Sequence, residues 1–121
     1  MKEIICVDLD GVLAEDGQWN GVEHFGKVID GAKEFLENLR QHYDVVIYTC
    51  RFTEGINGIE KAGLLRNRVR DWLDENELPY DEIFIGQGKP IATAYVDDRG
   101  INCSPQYNKD AFQKVLFMLG I

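Results

Sequence analysis

The stretch Ile4-Ile5-Cys6-Val7-Asp8-Leu9-Asp10-Gly11-Val12-Leu13 decides how the rest of the chain is read. Four apolar residues without alternation, stopped by a carboxylate, are the pattern of a parallel strand buried on both faces and ending at a polar edge. The pattern recurs. Val45 to Tyr48 ends at Thr49, Ile83 to Ile85 at Gly86, and Ala94 to Val96 at Asp97. Between and after these runs the apolar spacing changes to three and four. Asp30 to Tyr43 carries Ala32, Phe35, Leu36, Leu39 and Tyr43, with Asp30 as a candidate N-cap. Asn57 and Glu60 resemble a capping box before a helix whose stripe is Ala62, Leu65, Val69, Trp72 and Leu73. A last helix is expected to start near Asn108, just after Pro105, and to present Ala111, Phe112, Val115, Leu116 and Leu119. All three stripes read as core. Strands alternating with helices predict an α/β protein, a three-layer Rossmann-like sandwich around a mostly parallel sheet. With no repeat, low-complexity tract or linker, residues 1–121 read as one domain.

Two connections depart from ordinary lengths. About seventeen residues, Leu13 to Ile29, separate the first strand from its helix and carry Gly17, Trp19, Gly21, His24, Phe25 and Gly26. Loops this long in a compact domain usually have a functional role. For Trp19, His24 and Phe25, packing over the sheet weighs slightly more than a substrate-facing flap. Between Ile85 and Ala94 only eight residues are available. For a sheet order 3-2-1-4 they must cover a diagonal of ~22 Å, against a reach of ~27 Å. That crossover has to be nearly extended or short-turned.

The bulk properties set the class. The 13 Lys and Arg against 21 Asp and Glu give a net charge of −8, and 45% of the 121 residues are hydrophobic. A folded core is expected. Duplex nucleic acid and anionic membranes are disfavoured as partners, because both call for clustered cations. Cys6, Cys50 and Cys103 are odd in number and form no CxxC pair, which argues against a disulfide framework or zinc ribbon. The N-terminus does not read as a signal peptide, and no apolar run approaches the ~20 residues of a membrane span. The expectation is a cytoplasmic protein.

In an open parallel sheet, ligands bind where the carboxyl ends of the strands converge. The first strand delivers Asp8, Asp10 and Gly11 to that edge, and the second delivers Thr49, Cys50 and Arg51. The third is followed by Gly86-Gln87-Gly88-Lys89-Pro90, and the fourth by Asp97-Asp98-Arg99. Four carboxylates this close repel unless a hard divalent cation relieves them. Mg²⁺ takes one or two carboxylates, keeps waters and accepts phosphate oxygens. Thr49 and Lys89 suit the rest of a phosphate. The composition of the edge therefore points to phosphoryl chemistry, in which positioning and charge neutralisation carry the rate.

At these residues the chain resembles the haloacid dehalogenase-like (HAD) phosphohydrolase superfamily. A strand ending in Asp-x-Asp-Gly-Val, a second ending in Thr, then a Lys, then a strand ending in Asp-Asp match its four signature motifs in order across positions 4 to 99. The resemblance implies Asp8 as the nucleophile that forms an aspartyl-phosphate and Asp10 as the general acid and base. It implies Thr49 as a hydrogen-bond partner of the transferring phosphoryl group and Lys89 as the group that stabilises the nucleophile. Mg²⁺ would be held by Asp8, the Asp10 carbonyl and the pair Asp97 and Asp98, with the direct ligand of that pair left open. Members usually carry a cap domain between motifs. The intervals here hold only a loop and a helix each, so the resemblance is to a capless member, with residues 13–29 able to include small squiggle-and-flap elements.

An open site suits large substrates or cover by a second subunit, a homo-oligomer. Gly11, Cys50, Arg51 and Trp19 are candidate substrate contacts. Arg51 is weighed equally as a crevice-facing cation and as a surface partner of Glu54. Arg51, Arg66, Arg68, Arg70 and Lys89 are the cations that would form any local basic patch. Cys50 reads better as a small buried hydrophobe than as a nucleophile. The leading function is a Mg²⁺-dependent phosphatase acting on a phosphorylated substrate. The alternatives are a non-catalytic phosphate-binding scaffold on the same fold and a receiver-like phospho-acceptor domain. The motif order disfavours the receiver, since its acceptor Asp lies on a middle strand and its Lys on the last.

Overall fold

The computed structural model describes residues 2–16, 24–52, 59–86 and 89–121, with the side chains of 52 and 59–62 outside the description. Four strands, β1 (Ile4–Asp8), β2 (Asp44–Tyr48), β3 (Glu82–Ile83) and β4 (Ala94–Val96), form one sheet in the order β3-β2-β1-β4. All three pairings are parallel. The helices are α1 (Ala32–Arg40), α2 (Ile59–Glu75) and α3 (Ala111–Met118), with a short 3₁₀ turn at Cys50–Phe52. This is the expected α/β architecture, and no cap domain is present among the described residues.

The strand periodicity explains the core. Ile5, Val7, Val45 and Ile47 point to one face, where they are buried with Ala32 and Leu36 of α1 and with Leu65, Val69 and Leu73 of α2. Two successive parallel crossovers running the same way across the sheet put both helices on that face. Cys6 and Val46, of opposite parity, are also buried.

Several expectations change. Helix α1 is shorter than its apolar pattern, and its N-cap is Gly31, at φ 92°, in place of Asp30. Phe35 is partly exposed and leaves the buried stripe, while Leu39 and Tyr43 pack against the core. The capping box at Asn57 and Glu60, and the side chain of Ala62, lie outside the described residues. β3 occupies Glu82–Ile83 instead of Ile83 to Ile85. Phe84 N–H still reaches the Ile47 carbonyl at 2.8 Å, after which the chain leaves the sheet and Ile85 is exposed. Early departure lengthens the connection that must pass β2 and β1 to reach β4. β4 is an edge strand, so Ala94 and Tyr95 are exposed and the reading of burial on both faces fails there. Helix α3 begins at Ala111, after a turn in which the Asn108 side chain accepts from Asp110 N–H at 3.1 Å. Its stripe is not core. Ala111 is buried and Val115 half-buried, but Phe112, Leu116 and Leu119 are exposed, because α3 follows the edge strand and little of the protein covers its stripe.

The long loop after β1 is organised at both ends. Residues 9–14 make one tight turn, closed by Leu13 N–H and Ala14 N–H on the Leu9 carbonyl, each at 3.0 Å. Leu9, Leu13 and Ala14 are fully buried. The chain then pairs with its own return: Glu15 N–H donates to the Lys27 carbonyl and Ile29 N–H to the Leu13 carbonyl, both at 2.8 Å. A side chain at Gly26 would collide with the Glu15 backbone, so only glycine permits this approach. Residues 17–23, between these paired ends, lie outside the described residues, and Trp19 with them.

Candidate phosphoryl-transfer site

The register between β1 and β2 builds the site. Asp8 is paired with Tyr48, so the residues just beyond, Asp10 on one side and Thr49 to Arg51 on the other, emerge side by side at the carboxyl edge. Thr49 Oγ1 accepts from Arg51 N–H at 3.2 Å, which closes the 3₁₀ turn, and donates to Asp10 Oδ2 at 3.5 Å. The turn aims Arg51 inward. Its Nε and Nη2 donate to Oδ2 and Oδ1 of Asp10, both at 2.8 Å, and Arg51 is only 2% exposed. Arg51 is therefore buried on Asp10 at the sheet edge and is not part of a surface basic patch. Glu54, its other expected partner, lies outside the described residues, as does Trp19.

Phe25 packs inward as well. Its ring lies 4.5 Å from the Arg51 guanidinium carbon and stacks on Trp72 of α2 at 6.0 Å between centroids. His24 is exposed. Cys50 is exposed too, against the expectation of a buried hydrophobe, because the turn that buries Arg51 leaves its neighbour outward.

The fourth strand completes the edge. Asp97 Oδ1 accepts from Gly100 N–H at 2.6 Å and from Arg99 N–H at 3.2 Å, closing the turn after β4. Its Oδ2 lies 3.9 Å from Lys89 Nζ and 3.5 Å from the Tyr48 hydroxyl. Lys89, expected to act on the nucleophile, is half exposed and spans Asp97 and the Tyr95 ring, 4.7 Å from its centroid. Asp98 occupies a different position. A Cβ at Gly11 would run into its carboxylate, so Asp98 lies against the Asp10–Gly11 backbone. Arg99 forms the rim, 3.3 Å from Asp16 and 4.0 Å from Asp98.

The electrostatics follow from this crowding. Burial pushes the Asp8 carboxyl up to about 7; the Leu9 N–H works against the rise, and the carboxylates of Asp10, Asp98 and Asp97 add to it. Burial, then the Asp8 and Asp97 charges, also raise the Tyr48 phenol, which stays protonated and donates to Asp97.

Solved structures share this fold. A conserved protein from Bacteroides thetaiotaomicron superposes with a TM-score of 0.57 at 19% identity, covering 95% of this chain and 93% of its own. A target protein from Vibrio cholerae gives a TM-score of 0.57 at 26% identity, covering 95% of this chain and 99% of its own. A D,D-heptose 1,7-bisphosphate phosphatase from B. bronchiseptica, complexed with magnesium and phosphate, gives 0.46 at 19% identity, covering 100% of this chain and 65% of its own. No family model and no curated protein sequence matches the chain. The first two likenesses carry the α/β fold across nearly the whole length, and the chemistry rests on the residues at the sheet edge.

Among those residues the structure brings together Asp8, Asp10, Thr49, Asp97 and Asp98, with Lys89 at one side on Asp97. Sequence reasoning missed Tyr48 and the partner of Arg51. The signal for the second was the strand register: once Asp8 is set opposite Tyr48, positions 10 and 51 lie past adjacent strand ends. Among the described residues, no three His, Cys, Asp or Glu side chains converge as a ready-made metal cage. No helix among them is long and apolar enough to cross a membrane.

Proposed function

We propose that the chain is a Mg²⁺-dependent phosphomonoester hydrolase of HAD type that works through an aspartyl-phosphate on Asp8. The observation that carries this reading is the contrast between two neighbouring carboxylates where β1 ends, Asp8 and Asp10. Asp8 is partly buried, accepts from the Leu9 backbone and faces the other acids with no cation paired to it among the described residues, whereas Asp10 is gripped by a buried guanidinium. Asp8 is placed to face a phosphoryl group, and Asp10 is fixed in one orientation beside it, an arrangement that suits a nucleophile with an acid–base partner.

Asp8 attacks phosphorus, the bond from phosphorus to the leaving oxygen breaks, and the Asp10 carboxyl gives its proton to that oxygen. Asp10 then takes a proton from water as the water oxygen attacks phosphorus, and the Asp8–phosphorus bond breaks to release phosphate and restore both carboxyl groups. Thr49 offers its hydroxyl to the phosphoryl oxygens. Lys89, held toward the edge by Asp97, supplies positive charge beside them.

The donor set fits a hard cation. Asp8 has no counter-charge among the described residues, and Asp98 lies against Gly11, so Asp8, the Asp10 carbonyl and Asp98 would hold Mg²⁺, with Asp97 orienting Lys89. Two carboxylates and a carbonyl are enough for an ion that keeps waters and takes phosphate oxygens. When bound, the ion neutralises charge on the phosphoryl group and on the acids around it.

Hydrolysis of 4-nitrophenyl phosphate tests the reading. Activity should require Mg²⁺, disappear with EDTA, and disappear in Asp8→Asn. Undiminished hydrolysis by Asp8→Asn would remove the nucleophile from the scheme.

A further inference from the structure

The Arg51–Asp10 pair is costly to build and asks for an explanation. Two charges have been withdrawn from water, with side-chain exposures of 3% and 16%. Such a pair seldom adds stability over apolar residues of the same volume, because desolvation offsets the attraction. What it does supply is orientation. A guanidinium fork meeting both oxygens of one carboxylate fixes the plane and rotamer of that group, which a lysine's single point charge cannot do.

The fork itself is immobilised from several sides. Its backbone is pinned by Thr49 Oγ1 at 3.2 Å, and Phe25 covers the guanidinium at 4.5 Å. Phe25 in turn rests on Trp72, so the loop after β1 and helix α2 both contribute to holding Arg51.

We propose that Arg51 is the positioning residue for Asp10, a buried clamp that sets how effectively Asp10 delivers a proton to poor leaving groups. The inference rests on the phosphatase reading and refines one step of it. With Nε on Oδ2 and Nη2 on Oδ1, the Nη2 bond can open so that Oδ1 carries the proton to be transferred while Oδ2 stays on Nε. The carboxyl then pivots on the guanidinium toward the leaving oxygen and returns without swinging into the neighbouring Asp8. Arg51 touches neither phosphorus nor the leaving group in this scheme. Its effect on the reaction passes through Asp10.

That distinction gives a readout which a merely structural role would not move. Nitrophenolate departs with little help from an acid, whereas the phenolate of unsubstituted phenyl phosphate needs a proton. Because kcat/KM covers events through the first irreversible step, the gap between the two esters reports on proton delivery. Arg51→Lys should lower kcat/KM for phenyl phosphate about 100-fold, the lower range of general acid contributions, and lower that for 4-nitrophenyl phosphate less than about tenfold. In an Asp10→Asn background the same substitution should change neither value further. Arg51→Ala with added guanidinium ion should recover phenyl phosphate hydrolysis selectively, which keeps the test open if the lysine variant folds poorly.

Equal losses on both esters, or additive losses with Asp10→Asn, would overturn the clamp. A wild-type protein showing no Asp8-dependent hydrolysis of either ester would instead remove the phosphatase reading itself.

Discussion

Gly11 shows how one residue serves both backbone and site. At φ 87° it takes a left-handed conformation that disfavours a side chain, and any Cβ there would strike the Asp98 carboxylate. Gly11→Ala should therefore lose about 1–3 kcal/mol of stability from backbone strain and weaken Mg²⁺ binding by displacing Asp98. Urea denaturation and isothermal titration read the two effects separately. At this scale Asp8, Asp10, Thr49, Asp97 and Asp98 were legible, because each lies within three residues of the end of an apolar run. Arg51 was not. Its direction depends on a 3₁₀ turn and on Phe25, contributed by a segment 26 residues earlier, and neither leaves a periodic trace in the sequence.

Among the elements, the junction of β2 and β3 is held by one carboxylate. Asp81 accepts from Arg40 Nη2 at 2.8 Å and from Val45 N–H at 2.7 Å, while its own N–H donates to the Val45 carbonyl at 2.9 Å. Burial alone would push Asp81 up, but the bonds from Arg40 and Val45 hold its carboxyl below the usual range. A carboxylate depressed by folding contributes stability that is complete above its unfolded value near 3.8 and is lost as pH falls through the folded value. Asp81→Asn should accordingly cost about 1 kcal/mol at neutral pH. The gap from wild type should close in strong acid, as followed by urea denaturation at both conditions. Helix existence was readable from three-and-four spacing, but burial was not. The stripe of α1 predicts Phe35 inside, and that of α3 predicts Phe112 and Leu116 inside. All three are exposed, because periodicity marks which residues share a face and not what covers it.

For the whole molecule, the chain lengths were compatible with the sheet order 3-2-1-4 without fixing it. Eight residues after Ile85 allowed the order 3-2-1-4 only as a nearly direct crossover, and that order is the one observed. The net charge of −8 also changes meaning, since Asp8, Asp10, Asp97 and Asp98 gather at a single edge rather than spreading as solvated surface. Asp71, Asp74 and Glu75 account for part of the remainder on the exposed side of α2. The central claim is that Asp8 carries the phosphoryl group during turnover. Quenching the Mg²⁺-loaded protein with borohydride while it hydrolyses 4-nitrophenyl phosphate would reduce an aspartyl-phosphate to homoserine, which peptide mapping locates. The account predicts homoserine at position 8, in greater yield when Asp10→Asn blocks water attack. Turnover with position 8 recovered only as unmodified aspartate would contradict it.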